Sequence, residues 1–178
     1  MDNLKCIIKD YYIISKKTNT LFYDIYIPSL FFCISLSFLL YKQLYFNASF
    51  SDQSSNFIAL YGVLIAFTTA MLSIVATSSS SSIEGLKKEF VTFMSGNDEM
   101  IIVIDQQKVT LYRDLISNIS FSLIIQSIFL IINLLFITFQ LSAIWSFSFN
   151  FMFTSLILIT NIKSTSKSYL AITCHQDN

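Results

Sequence analysis

The stretch LISNISFSLIIQSIFLIINLLFITF, Leu115–Phe139, runs without a single charged residue. A helix needs about 20 predominantly apolar residues to cross the hydrocarbon of a bilayer, so this run reads as a transmembrane helix. Three further runs have similar length and character: Ile25–Phe46, Phe57–Thr77 and Leu141–Ile162. The expected fold class is an all-α membrane protein with four transmembrane helices.

The cations orient these spans. Lys5, Lys9, Lys16 and Lys17 precede the first run. Lys87, Lys88, Lys108 and Arg113 separate the second from the third, and Lys163 and Lys167 come after the fourth. Only Lys42 falls on the other side, where its long stem can snorkel from a helix end. Cytoplasmic segments carry the excess of Lys and Arg, so N and C termini are both expected in the cytoplasm. The first twenty residues show no short apolar core ahead of a small-residue cleavage site, so the first span is expected to act as an uncleaved targeting signal.

This topology divides the chain into five parts. Residues 1–20 form a cytoplasmic or interfacial N-terminal segment, and residues 21–78 hold spans 1 and 2. Residues 79–114 form a short cytoplasmic segment, helical or mixed. Residues 115–162 hold spans 3 and 4, and residues 163–178 a cytoplasmic tail. Leu4, Ile7, Ile8, Tyr11 and Ile14 recur near helical spacing with lysines between them. This suits a helix lying along the inner membrane surface or packed on the bundle. Asp24 is expected near the cap of the first span and Pro28 in its first turn, where a missing N–H is tolerated. Asn47–Asn56 reads as a short outer loop. Ile83–Met94 suits a helix projecting from the membrane, with Ser95–Asp98 as a turn after it. Met100–Ile104 and Lys108–Tyr112 are either a small hairpin or a helical lead-in to the third span.

Composition narrows the function classes. Of 178 residues, 54% are hydrophobic and 12% charged, and the net charge is zero; a soluble domain averages about 25% charged. No basic stripe with interleaved aromatics points to direct nucleic-acid binding. Cys6, Cys33 and Cys174 form no disulfide framework and are expected as free thiols. His175 is the single histidine, and no Cys/His spacing suggests a metal. No glycine-rich loop cradles phosphate, and Ser78–Ser82 has no base beside it. No carboxylate falls inside the four runs as bounded above. The expectation is a non-enzymatic protein without cofactor or metal.

Two stripes stand out. Asn118, Ser122, Gln126, Asn133 and Gln140 on the third span are spaced by four, four, seven and seven, which places them in one narrow sector at about 100° per residue. Such a face avoids lipid, because a buried amide without a partner costs several kcal/mol. It serves either as interhelical glue or as the lining of an oligomeric pore. On the second span Ala59, Gly62, Ala66, Ala70 and Ser73 form a small-xxx-small pattern that lets another helix approach closely, within the chain or from another subunit. Between the spans, Glu84, Lys87, Lys88, Phe93, Lys108 and Arg113 are the candidates for docking a soluble partner, against an ordinary solvated connection.

Gly62–Ile74 (GVLIAFTTAMLSI), followed by Leu86-Lys87-Lys88 and then a closely paired third and fourth span, resembles small four-span bacterial membrane proteins of phage-defence loci. The layout is similar to the membrane subunit of the Kiwa system, or otherwise to four-span effectors of nucleotide-signalling defence systems. The first likeness implies a homo-oligomeric sensor or anchor in the bacterial inner membrane, bound to a cytoplasmic DNA-binding effector from the same locus. The second implies an oligomeric pore. An immunity protein against a pore-forming toxin is a third reading of the same layout.

Overall fold

The computed structural model describes residues 2–41, 50–77, 81–95, 98–138 and 143–173. Among the described residues six helices carry the fold: α1 (Asp2–Lys17), α2 (Thr20–Tyr41), α3 (Phe50–Thr77), α4 (Ser81–Lys88), α5 (Leu111–Thr138) and α6 (Ala143–Thr173). Between α4 and α5 lie four short strands, β1 (Thr92–Ser95), β2 (Asp98–Ile101), β3 (Val103–Ile104) and β4 (Gln107–Lys108).

Among the described residues, three helices are long and apolar enough to cross a membrane: α2, α3 over Ser55–Thr77, and α5 over Leu111–Phe136. This is a multi-pass membrane architecture. The fourth long helix, α6, spans 31 residues and carries Asn150, Asn161, Lys163 and Lys167. The four pack as a row, α2 on α6, α6 on α5 and α5 on α3, and α3 also touches α6. Their outer faces are apolar and exposed, including Ile25, Phe38, Val63, Phe67, Ile131, Leu135, Leu158 and Ile162. Their inner faces bury Ser122, Gln126, Asn133, Asn150 and Thr160. Large apolar residues outside and amides inside suit a hydrocarbon solvent, where apolar burial gives no drive and polar groups must find partners.

The helix limits differ from the sequence reading in instructive ways. α2 begins before Ile25, so Asp24 lies in its second turn, buried, and not at a cap. Pro28 is likewise inside the helix; membrane helices tolerate this where neighbours re-satisfy the freed backbone. α3 starts at Phe50, so much of the expected outer loop is helix. α6 continues past Ile162 to Thr173, so Lys163 and Lys167 are helical and not part of a tail. Asp114 and Asp24 both fall inside apolar helices long enough to span, which corrects the expectation of carboxylate-free spans. The helix expected over Ile83–Met94 stops at Lys88.

Beyond α4 the chain forms a β crown. β1 pairs antiparallel with β2, Thr92 opposite Ile101 and Ser95 opposite Asp98. β3 pairs antiparallel with β4 around Asp105-Gln106, both at positive φ, 51° and 64°. Two consecutive left-handed residues are what a tight two-residue hairpin turn requires. Of the two alternatives for Met100–Tyr112 the hairpin therefore holds, with a shorter turn than the sequence suggested, while Leu111 and Tyr112 open α5. Ile102, Ile104, Val109 and Val91 bury together with Ile14 of α1, so the N-terminal helix closes the crown's small core. A second cluster, Val75, Ile83, Leu86, Leu115 and Ile119, joins the end of α3 to α4 and the start of α5.

Candidate functional site

The polar stripe of α5 faces inward. Gln126 Nε2 donates to Thr68 Oγ1 of α3 at 2.9 Å and to Ser122 Oγ at 3.0 Å. Ser122 Oγ donates to Asn161 Oδ1 of α6 at 2.9 Å and accepts from Thr160 at 3.1 Å. Deeper along the bundle Asn133 Nδ2 donates to Asn150 Oδ1 at 2.7 Å, and the Tyr61 hydroxyl donates to the same oxygen at 3.2 Å. Asn118 Nδ2 bonds the Asp114 carboxylate at 2.7 Å. Ser122, Gln126 and Asn133 thus join α3, α5 and α6 inside one chain, while Asn118 bonds within α5; Gln140 lies outside the described residues. Asn133 Oδ1 and Ser148 Oγ are the two buried side-chain atoms without a partner among the described residues.

At the end where α2 and α5 begin and α3 and α6 finish, the column meets a belt of ion pairs. Lys163 bonds Asp24, and Lys167 bonds Asp114. Arg113 grips Asp10 of α1 with Nε and Nη2 at 2.7 and 2.8 Å. Tyr11 stacks on Phe121, with centroids 3.7 Å apart and planes 10° apart, and donates to Asp24 at 2.7 Å. Burial first, then the Asp24 carboxylate, pushes the Tyr11 phenol well above its ordinary range, so it remains a donor. Lys9 of α1 pairs with Asp105 at 2.7 Å on the surface, and that bond raises its ammonium pKa. α1 is therefore fastened to α2, α5 and the crown at once. Sequence reading missed this belt because its charges lie outside the four apolar runs, where solvation is the default. The coincidence of acids on α1, α2 and α5 with bases on α5 and α6 is visible only in three dimensions.

The small-residue stripe behaves differently. Ala59, Gly62, Ala66, Ala70 and Ser73 are exposed, on the side of α3 opposite its buried Tyr61, Thr68 and Val75. A Cβ added at Gly62 would meet nothing within 4 Å. Among the described residues, no helix of this chain uses the close approach that the stripe permits.

The docking candidates divide. Glu84, Lys87 and Lys88 are exposed on α4, with Lys87 Nζ 5.1 Å from the Tyr112 ring centre. Lys108 is exposed on β4, over the Phe90 ring at 5.3 Å. Phe93 is half-buried beneath Lys17, also at 5.3 Å. Arg113 turns inward to Asp10 and is committed to the belt. Around these the crown exposes Phe90, Met94, Met100, Ile101 and Val103; sequence reading singles out the apolar run Ile101–Ile104 beside the charges, of which Ile102 and Ile104 are buried. Cys6 and Cys33 are free and exposed; Cys174 and His175 lie outside the described residues. No protein-family model, curated protein or solved structure matches this chain.

Proposed function

We propose that this protein is a non-enzymatic membrane anchor or sensor subunit. It crosses a bacterial inner membrane four times with both termini in the cytoplasm, assembles with copies of itself, and docks a cytoplasmic effector through the crown. The observation that carries this reading is the crown itself. It exposes five large apolar residues beside the exposed charges of α4 and β4, yet it is fastened to the membrane helices through α1. Exposed apolar clusters rimmed by polar residues mark interaction sites, and a rigid mount lets events at the bundle reach the partner. Phage defence as the setting rests on the layout resemblance alone. The exposed small-residue face of α3 supports self-association. The hydrogen bonds of Ser122, Gln126 and Asn133 within one chain favour the glue reading over a pore lined by that stripe.

The test is purification in mild detergent from cells carrying the native locus. The wild type is compared with a variant combining Phe93→Ser, Lys87→Glu, Lys88→Glu and Lys108→Glu. Co-purification of a stoichiometric soluble protein with the wild type, and its loss from an otherwise well-inserted variant, supports docking. Equal recovery with both proteins refutes it.

A further inference from the structure

The first hairpin of the crown has one unused edge. The Ile102 N–H donates to the Val91 carbonyl at 2.9 Å, which makes Val91 and Ile102 a hydrogen-bonded pair. Such pairs alternate along an antiparallel ladder, so Phe93–Met100 and Ser95–Asp98 are the next two in the observed register. The N–H and C=O groups of Thr92 and Met94 then point away from β2. Among the described residues no backbone hydrogen bond reaches that side of β1. One residue earlier the ladder branches on its inner side: the Val91 N–H goes to Val109 at 2.8 Å.

A cleft of about 310 Å³ runs along the same strand, lined by Thr92, Phe93 and Met94, by Glu99 across the ladder, and by Lys17, Thr18 and Asn19 of the turn between α1 and α2. Its size is at the lower end of ligand-binding clefts. It combines three elements: a row of unpaired backbone groups, an exposed apolar side chain in Met94, and opposite charges at Lys17 and Glu99. Natural proteins blunt or cover a free edge unless it pairs with something.

We infer that β1 takes an extended peptide segment of the cytoplasmic partner as a third strand, by β-augmentation. Backbone bonds to Thr92 and Met94 hold it. An apolar side chain rests on Met94, an acidic one meets Lys17 and a basic one meets Glu99. This deepens the docking reading above and rests on it.

The test uses the full chain in nanodiscs and two fluorescein-labelled probe peptides of opposite charge order, ETVTVTK and KTVTVTE, read by anisotropy. One order is expected to bind saturably and the other more weakly. Met94→Pro removes an outward N–H while leaving the β1–β2 bonds intact, and should weaken binding about tenfold. Met94→Ala retains the N–H and should lose less affinity than Met94→Pro does, so the difference between the two isolates the backbone bond. Lys17→Glu leaves the backbone groups of Thr92 and Met94 in place and should abolish the preference between the two orders, which keeps the inference falsifiable if the proline variant does not fold. Failure of both peptides to bind, unchanged binding by Met94→Pro, or an indifferent Lys17→Glu overturns it. So does a Met94→Pro-sensitive dimer, which would make the occupant a second copy. If the native partner still binds Met94→Pro while a variant combining only Lys87→Glu, Lys88→Glu and Lys108→Glu loses it, docking stands and strand addition fails.

Discussion

Asp24 places a carboxylate in a helix that otherwise has no charge from Leu21 to Tyr41, and its partners explain why it can stay there. Lys163 and Tyr11 both bond it, so a charge in a low-dielectric setting is neutralised and hydrogen-bonded at once. Removing one member of a buried pair costs on the order of 3 kcal/mol, because the survivor remains buried and uncompensated, whereas removing both costs much less. Lys163→Met should therefore lower the melting temperature in detergent more than the double variant Asp24→Asn, Lys163→Met does. Equal or additive losses would contradict a coupled pair. Tyr11 adds a pH signature. Its folded pKa is raised, so its contribution is complete below the unfolded phenol value of about 10 and fades only as pH rises through the higher folded value. The difference in melting temperature between wild type and Tyr11→Phe should be flat from about pH 6 to 9. A difference that disappears within that range would show the phenol is not the donor described.

Among the elements, α3 and α5 show what a helical period can and cannot reveal. The spacing of Asn118, Ser122, Gln126 and Asn133 foretold a single polar face, and that face is buried. Of its partners, Asn150 and Asn161 share one face of α6 with Thr154, spaced by four and seven, a stripe that sequence reading passed over, whereas Thr68 is, among the described residues, the one buried polar residue of its face on α3. Gln126→Leu breaks the link to Thr68. Interhelical bonds of this kind average about 0.6 kcal/mol, so the loss should be a modest drop in melting temperature with insertion unchanged. The stripe from Ala59 to Ser73 was equally legible as a packing face, but sequence could not say whose helix meets it. Since no described residue comes near a Cβ at Gly62, Gly62→Leu together with Ala66→Leu should leave the monomer's melting behaviour almost intact. If α3 is the subunit contact, the same change should lower the mass measured by native mass spectrometry. An unaltered mass would move self-association to another helix. The crown was the hardest element to read. Met100–Ile104 is β-prone, but the crown's strands are short and are held by the α1 cap over Ile102 and Val109, a long-range contact no local propensity encodes.

At the scale of the molecule, charge and architecture point to the same sidedness. Asp10, Arg113, Asp24, Lys163, Asp114 and Lys167 gather at one end of the bundle, with α1, α4 and the crown packed against that end. Lys5, Lys16, Lys87, Lys88 and Lys108 are exposed there, and cationic ends of a bundle are retained on the cytoplasmic side. α6 runs antiparallel to α2 and α5, bringing its Lys167 back to Asp114 at the start of α5, which supports the proposed fourth crossing. The native thiol of Cys6 reports on this topology. In a Cys33→Ser, Cys174→Ser background, a membrane-impermeant maleimide should label Cys6 only after the inner membrane is permeabilised. An Asn56→Cys reporter at the opposite end, with Cys6→Ser added, should react in cells whose inner membrane is intact. Labelling of Cys6 in intact cells would invert the molecule. The crown and its strand edge would then face away from any cytoplasmic effector, and the docking reading would fall with the topology.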